Sequence, residues 1–426
     1  MAAKGGDRAS AEVQLIDTVR AGRTHAVRDL LSAGADPETT DADGIPMLCL
    51  AVDAFDEAVA VALLDAGADP LRSLPDGSTP LLRAVASGNA ELTAAMLTPA
   101  SNRFTEEERT DLLACARHWC ETGAEDGLRL MTGATGPVDR RRVSELHGIS
   151  EYDVLTLGGM SVCDAHPAVL TRLEAAFGLR PSVDDLLTRA LADTDENHAN
   201  WAQATIVLAQ RSDAETWEAA LALRSDPDPR RRLFAADLVR DFVLVDQHAG
   251  ADSEACPWER RALDVLLSWV VEESDPAVLA SVLSGLNLLD DPRVEEVGLA
   301  HRAHPDARVR VQVPSTLFRT RNAFTHPEAL QVLAALARDP DARVRGVVCE
   351  LLHLFEGRGP AVRDILAGFL DEDDQLVRVK AVYGLAEADD PRCLEGARLI
   401  GPVDRTDGAD TWLLEAASRY EQRHAG

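Results

Sequence analysis

Four arginines in the C-terminal half have spacing that suggests a shared chemical role. Arg310 and Arg345 are 35 residues apart, Arg345 and Arg378 are 33 residues apart, and Arg232 is a looser match upstream. A guanidinium group stays charged and binds carboxylates or phosphates through paired hydrogen bonds. The four side chains could therefore line a basic groove for an acidic peptide or a nucleic-acid backbone. Alternatively, each could pair with a turn aspartate such as Asp341.

Other residue types offer less chemistry. Cys115, His118 and Cys120 are close together, but a zinc site needs about four ligands and no second Cys/His pair follows at ligand spacing. His301 and His304 are three residues apart, yet the chain contains no His-Glu dipeptide. Phosphate-binding glycine loops and GxSxG motifs are also absent from the sequence. We therefore expect no metal, no cofactor and no catalytic residue, and we predict that the protein is not an enzyme.

The elements that would position the arginines are amphipathic helices. Around Arg345 the apolar residues are separated by three or four positions, which predicts a helix with one buried stripe. The stripe consists of Val344, Val347, Val348, Leu351, Leu352 and Phe355. The preceding Asp339-Pro340 pair ends one helix and begins the next. The repeating unit is therefore predicted to be two antiparallel helices joined by a tight turn.

Acidic turns of this kind recur from about residue 182 onward. They lie at residues 193–196, 225–229, 274–276, 304–306, 339–341 and 371–374. Val-Arg follows three of these turns, and this pattern resembles the HEAT repeat, whose second helix opens with Val-Arg after an Asp-Pro-type turn. The resemblance covers about residues 182–404 and implies an array of about six helix pairs, closed by a capping helix at 405–426. It also implies that the second helices, with Arg232, Arg310, Arg345 and Arg378, line a concave binding face.

A second period, of 33 residues, appears near the N-terminus. Residues 30–37 return as 63–70, and Asp43-Gly44 returns as Asp76-Gly77. This pattern resembles the ankyrin repeat, a hairpin loop followed by two short helices, over about residues 11–104. Residues 105–133 are interpreted as a fourth, degenerate pair of the same region.

The resemblance to ankyrin repeats implies that partners bind at the hairpin tips. The corresponding tips are residues 38–42 and 71–74, with the candidate partner-binding residues Glu38, Thr39, Asp41, Leu71, Arg72 and Leu74. Leu71 and Leu74 are apolar residues on loops predicted to be exposed. They could anchor a partner, as apolar residues at interfaces do, or they could pack against the neighbouring hairpin.

Composition sets the class of protein and of partner. The chain has 426 residues, few aromatic residues at 4% and a net charge of -29, which would repel a nucleic-acid backbone. Seven cysteines without a CxxC pair suit reduced thiols, and no run approaches 18 apolar residues, so we expect a cytoplasmic protein. We predict an all-α double α-solenoid. It comprises a disordered N-terminus at 1–10, ankyrin-like repeats at 11–133, a helical connector at 134–181 and the HEAT-like array at 182–404.

Two functional hypotheses follow. The first is a non-catalytic intracellular scaffold that binds a basic protein partner on its concave surfaces; a more specific form is an immunity or inhibitor protein that neutralises a basic nuclease. The alternative is a nucleic-acid-binding or DNA-base-excision protein that uses the HEAT groove. It requires the four arginines to converge beside an exposed tryptophan, for which the candidates are Trp201, Trp217, Trp258 and Trp269.

Overall fold

The computed structural model describes residues 3–100, 103–145, 150–248, 257–318, 328–401 and 411–424. It is 67% helical, with 23 α-helices and one small three-stranded sheet within those residues, which confirms the predicted α-solenoid class. The chain divides into two compact units, Met1–Thr216 and Trp217–Gly426. Among the described helices, none has the length and apolarity needed to span a membrane.

The first unit contains eleven complete helices and the sheet within its described residues. The helices are α1 (Ala3–Arg20), α2 (Thr24–Ser32), α3 (Met47–Asp53), α4 (Glu57–Asp65), α5 (Pro80–Ser87), α6 (Ala90–Ala100), α7 (Glu106–Thr122), α8 (Ala124–Thr132), α9 (His166–Ala176), α10 (Val183–Leu191) and α11 (Ala199–Gln210). The strands are β1 (Asp139–Glu145), β2 (Ser150–Leu157) and β3 (Met160–Cys163), antiparallel in that order. Because α1 begins at Ala3, the predicted disorder of residues 1–10 is corrected. Buried Leu15 and Val19 anchor this helix.

Helix pairing in the first unit differs from the predicted pairing. The first helices α1, α3, α5 and α7 contact one another in turn, and the second helices α2, α4, α6, α9 and α11 do the same. The partner of α7 in this stack is α9, which follows it after residues 123–165. We call residues 123–165 the insertion. The degenerate pair predicted for 105–133 is therefore corrected, because its second helix lies beyond the insertion.

The predicted helical connector at 134–181 is also corrected. Its first half forms the three strands, and its helix α9 belongs to the stack of second helices. Gly158 and Gly159 have φ of +59° and +82° and form the two-residue turn between β2 and β3, a conformation that favours glycine. On the paired strands, Tyr152 and Val154 are buried against the stack.

The sheet is attached to the stack by close contacts. Gly88 ends α5 with φ of +72°, and a Cβ there would lie 2.4 Å from the Cys163 carbonyl oxygen. Asn89 accepts a hydrogen bond from the Leu92 amide and donates one from its own amide group to the Tyr152 hydroxyl, at 3.2 Å. A glycine and a buried amide therefore set the distance between the α5–α6 turn and the sheet.

The second unit is an array of helix pairs. Its helices are α12 (Ala214–Leu223, which begins just before the boundary), α13 (Pro229–His248), α14 (Pro257–Glu272), α15 (Pro276–Asn287), α16 (Pro292–His301), α17 (Ala307–Leu317), α18 (Ala329–Leu336), α19 (Ala342–His353), α20 (Pro360–Gly368), α21 (Gln375–Glu387), α22 (Arg392–Ile400) and α23 (Thr411–His424). The second helices, from α13 to α23 in odd numbers, contact one another in sequence. In four of them the turn aspartate accepts a hydrogen bond from a first-turn amide, which caps the helix.

The buried stripe predicted around Arg345 is present in α19. Val344, Val348 and Leu352 are buried, with Val347 half-buried at the edge. The polar run at residues 246–257 also predicts a surface loop between helix pairs; residues 249–256 lie outside the described residues, and residues 246–248 belong to α13.

Candidate functional site

Three of the four predicted arginines form paired hydrogen bonds with the next helix pair. Arg310 donates from Nε and Nη2 to the Asp339 carboxylate, at 2.7 and 2.9 Å. Arg345 binds Glu372 in the same way at 2.7 and 2.8 Å. The third pair joins Arg232 to Glu273, at 3.0 Å for both bonds. We call these three ion pairs the buried ladder, because the arginine side chains are only 13–22% exposed and the carboxylates 3–15%.

The remaining guanidinium nitrogen also has a structural partner. Nη1 of Arg310 donates to the carbonyls of His304 and Pro305 in the turn before its own helix. Arg232 and Arg345 make the equivalent bonds, and Nη1 of Arg378 donates to the carbonyls of Glu372 and Asp373. Arg232, Arg310 and Arg345 therefore join consecutive turns, which was the second of the two roles that the sequence left open. Arg378 contacts the turn before its own helix. Binding a partner through the three paired arginines would first require their ion pairs to break.

The buried ladder is interrupted at one helix pair. The arginines of α17 and α19 lie four residues after the capping aspartate, and Leu279 holds that position in α15. The carboxylates lie two residues before a capping aspartate, and His304 holds that position before Asp306. Its Nδ1 accepts the Asp306 amide, as Asp339 Oδ1 accepts the next capping amide. Both members of this ion pair are thus replaced together.

The predicted hairpin-tip residues are also used internally. Arg20 pairs with Asp41 at 2.8 Å. Glu38 pairs with Arg72 at 2.8 Å, and Asp69 pairs with Arg103 at 2.9 Å. We call these three ion pairs the exposed ladder, because their arginine side chains are 35–53% exposed. Thr39 donates its hydroxyl to the Asp36 carbonyl.

The two apolar hairpin residues are not exposed anchors. Leu74 is 8% exposed, and Leu71 packs against the core of the first unit. The prediction of an apolar contact surface at these tips is therefore corrected in favour of packing within the stack.

The four candidate tryptophans are buried as well. Trp201, Trp217, Trp258 and Trp269 are between 1 and 6% exposed. Trp217 and Trp258 pack with Phe242 in one aromatic cluster. The exposed tryptophan that the nucleic-acid hypothesis requires is not found at these four positions.

The cysteine and histidine candidates are structural where they are described. Burial raises the pKa of both Cys115 and Cys120 to about 11, so their thiols stay protonated at neutral pH. His118, between them in sequence, is exposed on α7. His301 and His304 have ring centroids 6.5 Å apart.

One group of potential metal ligands exists among the described residues, and it was not predicted. Asp164, Asp193 and His198 place one ligand atom each within 4.8 Å of the others. His198 Nδ1 accepts the Asn200 amide at the start of α11, so its proton is on Nε2, which donates to Asp164 at 3.0 Å. A metal at Nε2 would have to displace that proton while Nδ1 remains an acceptor, which fits poorly with histidine ligation.

The contacts of Asp164 with His198 and the backbone also determine its charge. Burial acts to raise the pKa of Asp164, but the hydrogen bonds from His198 and from backbone amides outweigh burial, and the pKa is lowered. The cluster therefore connects α11 to the strands through an ionised aspartate.

The insertion is the part of the first unit that the helix stack does not use. Its helix α8 packs on α7, where a Cβ at Gly127 would lie 2.4 Å from the Trp119 ring. A separate small core forms beneath it from Trp119, Leu128, Leu155, Leu157 and Val162. This core holds α8 rigidly against the sheet.

The outer side of α8 carries apolar residues that nothing described covers. Leu130 is 75% exposed and Met131 is 54% exposed. Leu130, next to Met131 on the helix, also lines a cleft of about 620 Å³. It is lined by Thr122, Asp126, Arg129, Leu130, Gly133, Ala134 and Thr135. Sequence reasoning missed this surface because α8 was interpreted as the second helix of an ordinary repeat.

Charged residues of both signs surround the cleft. Arg129 is paired with Glu125 at 2.8 Å, and Glu125 also binds Arg140. Asp126 in the cleft and Glu121 at the end of α7 are exposed, and their carboxylates have no ion-pair partner among the described residues. The cleft lining therefore holds one carboxylate and one guanidinium group, and the excess negative charge beside it comes from Glu121 and the other exposed acidic residues of α7.

Comparison with known proteins supports one of the two repeat regions. Residues 295–386 match the family model of HEAT repeats, so the predicted HEAT resemblance is confirmed there. The X-ray structure of the E. coli protein YibA is similar to this chain with a TM-score of 0.42 and 16% identity, covering 57% of this chain and 93% of YibA. An engineered protein of known crystal structure has a TM-score of 0.39 and 14% identity, covering 98% of this chain and 99% of its own. No curated protein matches the sequence.

Proposed function

We propose that the protein is a non-catalytic interaction scaffold that binds a basic protein partner. The observation that carries this proposal is the fate of the arginines. Six of them are paired within the two ladders, while the whole chain has a net charge of -29. Because those cations are neutralised internally, the field at the surface is dominated by carboxylates and attracts a positively charged partner.

The HEAT repeats of residues 295–386 support the scaffold class, since stacked helix pairs present extended binding surfaces. We also propose that residues 11–104 are ankyrin-like repeats. Their 33-residue period and stacked helix pairs favour this assignment. An immunity or inhibitor role against a basic nuclease is the more specific form of the proposal, and only the acidic charge supports it.

A cytoplasmic location belongs to the same proposal. The six described cysteines are free, and four of them have thiols whose pKa burial raises to about 11, which suits a reducing compartment. The same buried thiols are poor nucleophiles, which is consistent with a non-catalytic role.

The nucleic-acid alternative has lost its two specific supports. Arg232, Arg310 and Arg345 are occupied by carboxylates, and the four candidate tryptophans are buried. A basic groove would require both features to be reversed.

Affinity capture from native cytoplasm, with mass spectrometry and nuclease treatment, tests the proposal. We expect one basic protein that is recovered at low salt and released at high salt, because exposed charge contacts are screened. Recovery of nucleic acid that persists after thorough washing, with no basic protein, would contradict the proposed function.

A further inference from the structure

We infer that the cleft beside α8 docks a basic segment of the protein partner, with an apolar side chain of that segment against Leu130 and Met131. This inference rests on the proposed function, because it assigns the surface that the basic partner uses. It concerns the insertion alone and does not involve either ladder.

The first argument is the exposed apolar pair. Single exposed apolar residues are common, but two adjacent ones beside a cleft are typical of interaction sites. Leu130 and Met131 are 75% and 54% exposed, and methionine adapts its shape to different partners. The neighbouring Leu128 is fully buried, so the helix that presents them is fixed. The apolar contact surface is therefore preformed.

The second argument is charge complementarity. On α7, Glu107, Asp111 and Glu121 are exposed, and at 100° per residue they lie on the same side of the helix as Thr122, which lines the cleft. The carboxylates of these three residues have no ion-pair partner among the described residues. With Asp126 they place four unpaired carboxylates on the side of α7 that faces the cleft and in the cleft itself. A lysine- or arginine-rich segment complements these carboxylates.

The third argument is the position of the cleft in the chain. The stack of helix pairs continues from α7 to α9 without needing the insertion, and insertions in repeat arrays commonly form binding surfaces. The cleft of about 620 Å³ is open to solvent, which suits an extended peptide segment better than a small molecule. The insertion therefore adds a recognition surface to a stack that is otherwise complete.

A labelled peptide can test this assignment with the intact chain. The probe is an 18-residue amphipathic helix of lysine and leucine, and the matched control peptide has glutamate in place of lysine. Fluorescence anisotropy would measure both peptides against the wild type, the Leu130→Ser/Met131→Ser variant and Val271→Ser. Val271 is 83% exposed on α14 and serves as a matched apolar control. All replaced side chains are exposed, so circular dichroism should be unchanged.

We expect the lysine peptide to bind the wild type and Val271→Ser equally, and the double variant about tenfold more weakly. The glutamate peptide should not bind. Hydrogen exchange with the lysine peptide bound should slow at α8.

Equal binding by the double variant would overturn the assignment to α8 while leaving the proposed function intact. Equal weakening by Val271→Ser, or no binding of the lysine peptide by the wild type, would also overturn it. In those cases affinity capture would still decide the proposed function separately.

Discussion

The two ladders of the molecule use the same type of ion pair at different depths. In the exposed ladder, the arginine side chains of Arg20, Arg72 and Arg103 are 35–53% exposed. In the buried ladder, the arginines are 13–22% exposed and their carboxylates at most 15%. Both ladders link successive helix pairs, yet water reaches the guanidinium groups of the first, although Asp41 in it is only 3% exposed, and is largely excluded from both partners in the second. The number of ion pairs therefore says little about how strongly each array is held together.

The surroundings of the carboxylates show the same contrast. The hydrogen bond from Arg310 holds the pKa of Asp339 below its usual value, and a capping amide adds to this effect. The hydrogen bond from Arg103 lowers the pKa of Asp69 in the exposed ladder. Both carboxylates are thus ionised, but only Asp339 would remain buried if its arginine were lost.

The largest expected effect comes from breaking one pair in each ladder. Arg310→Ala should destabilise the second unit by about 3–5 kcal/mol, because it leaves the Asp339 charge buried and unpaired. Arg72→Ala should cost less than about 1 kcal/mol, since the side chains of Arg72 and its partner Glu38 are 35% and 36% exposed to water. Native-state hydrogen exchange of amides in α17 and α19, compared with α2 and α4, measures both. Similar losses in the two variants would contradict the contrast in depth.

Acidification should affect the two units in different pH ranges. Burial lowers the pKa of His166 in the first unit to about 4, from 6.5, so the folded state favours the neutral ring. The contribution of the neutral His166 ring to the free energy of unfolding is fully present above pH 6.5. It is lost as the pH falls toward 4, and the total loss is up to about 3 kcal/mol. The pKa values of Asp69 and Asp339 in the two ladders are lowered, so the stabilisation from these two carboxylates is present above the unfolded value of 3.8 and is lost as the pH falls below it.

Hydrogen exchange between pH 7 and 4.5 should therefore accelerate around α7 and α9 before the ladder residues respond. His166→Gln should flatten this pH dependence, with Arg72→Ala as the control that retains it. Loss of protection in α17 and α19 first would refute this order.

The interruption at Leu279 and His304 provides a smaller and sharper test. Copying it into a neighbouring position, Arg310→Leu with Asp339→His, removes both charges together. We expect the double variant to lose about 1 kcal/mol of unfolding free energy, because replacing both members of a buried ion pair with apolar or uncharged groups often changes stability little. Arg310→Leu alone should be several-fold more damaging. If the double variant is as unstable as the single one in urea unfolding, the two positions are not coupled.

The smallest expected effect is that of salt. The loss of stability caused by Arg72→Ala should vanish in about 1 M salt, because the Debye screening length there is only about 3 Å. The loss caused by Arg310→Ala should persist, because its partner is shielded from ions. Thermal unfolding at two salt concentrations would measure both, and a salt-insensitive Arg72→Ala variant would show that its contact is not mainly electrostatic.

Local sequence patterns predicted the second unit well because its frame is local. The turn aspartates, the stripe of α19 and the pairing of arginines with turn carboxylates all follow from residues within one or two helix pairs. The choice between pairing and ligand binding needed the structure, since no sequence pattern shows that Asp339 is oriented toward Arg310.

The first unit was harder to predict because its decisive contacts are distant in sequence. Helix α7 packs on α9 across the insertion, which no 33-residue period reveals. A signal for the sheet was present in the Gly158-Gly159 pair between segments with alternating apolar residues. The burial of Leu74 depends on a neighbouring hairpin, so loop position alone suggested exposure.

The stacked rings of Trp119 and His166 bring the two ends of the insertion together. Their centroids are 4.6 Å apart, with Trp119 in the last turn of α7 and His166 at the first position of α9. The insertion is thus a loop whose mouth is closed by the stack itself, and doubling the length of such a loop adds only about 0.6 kcal/mol of closure entropy. Evolution can therefore lengthen, shorten or exchange this segment while the repeats on either side keep their register.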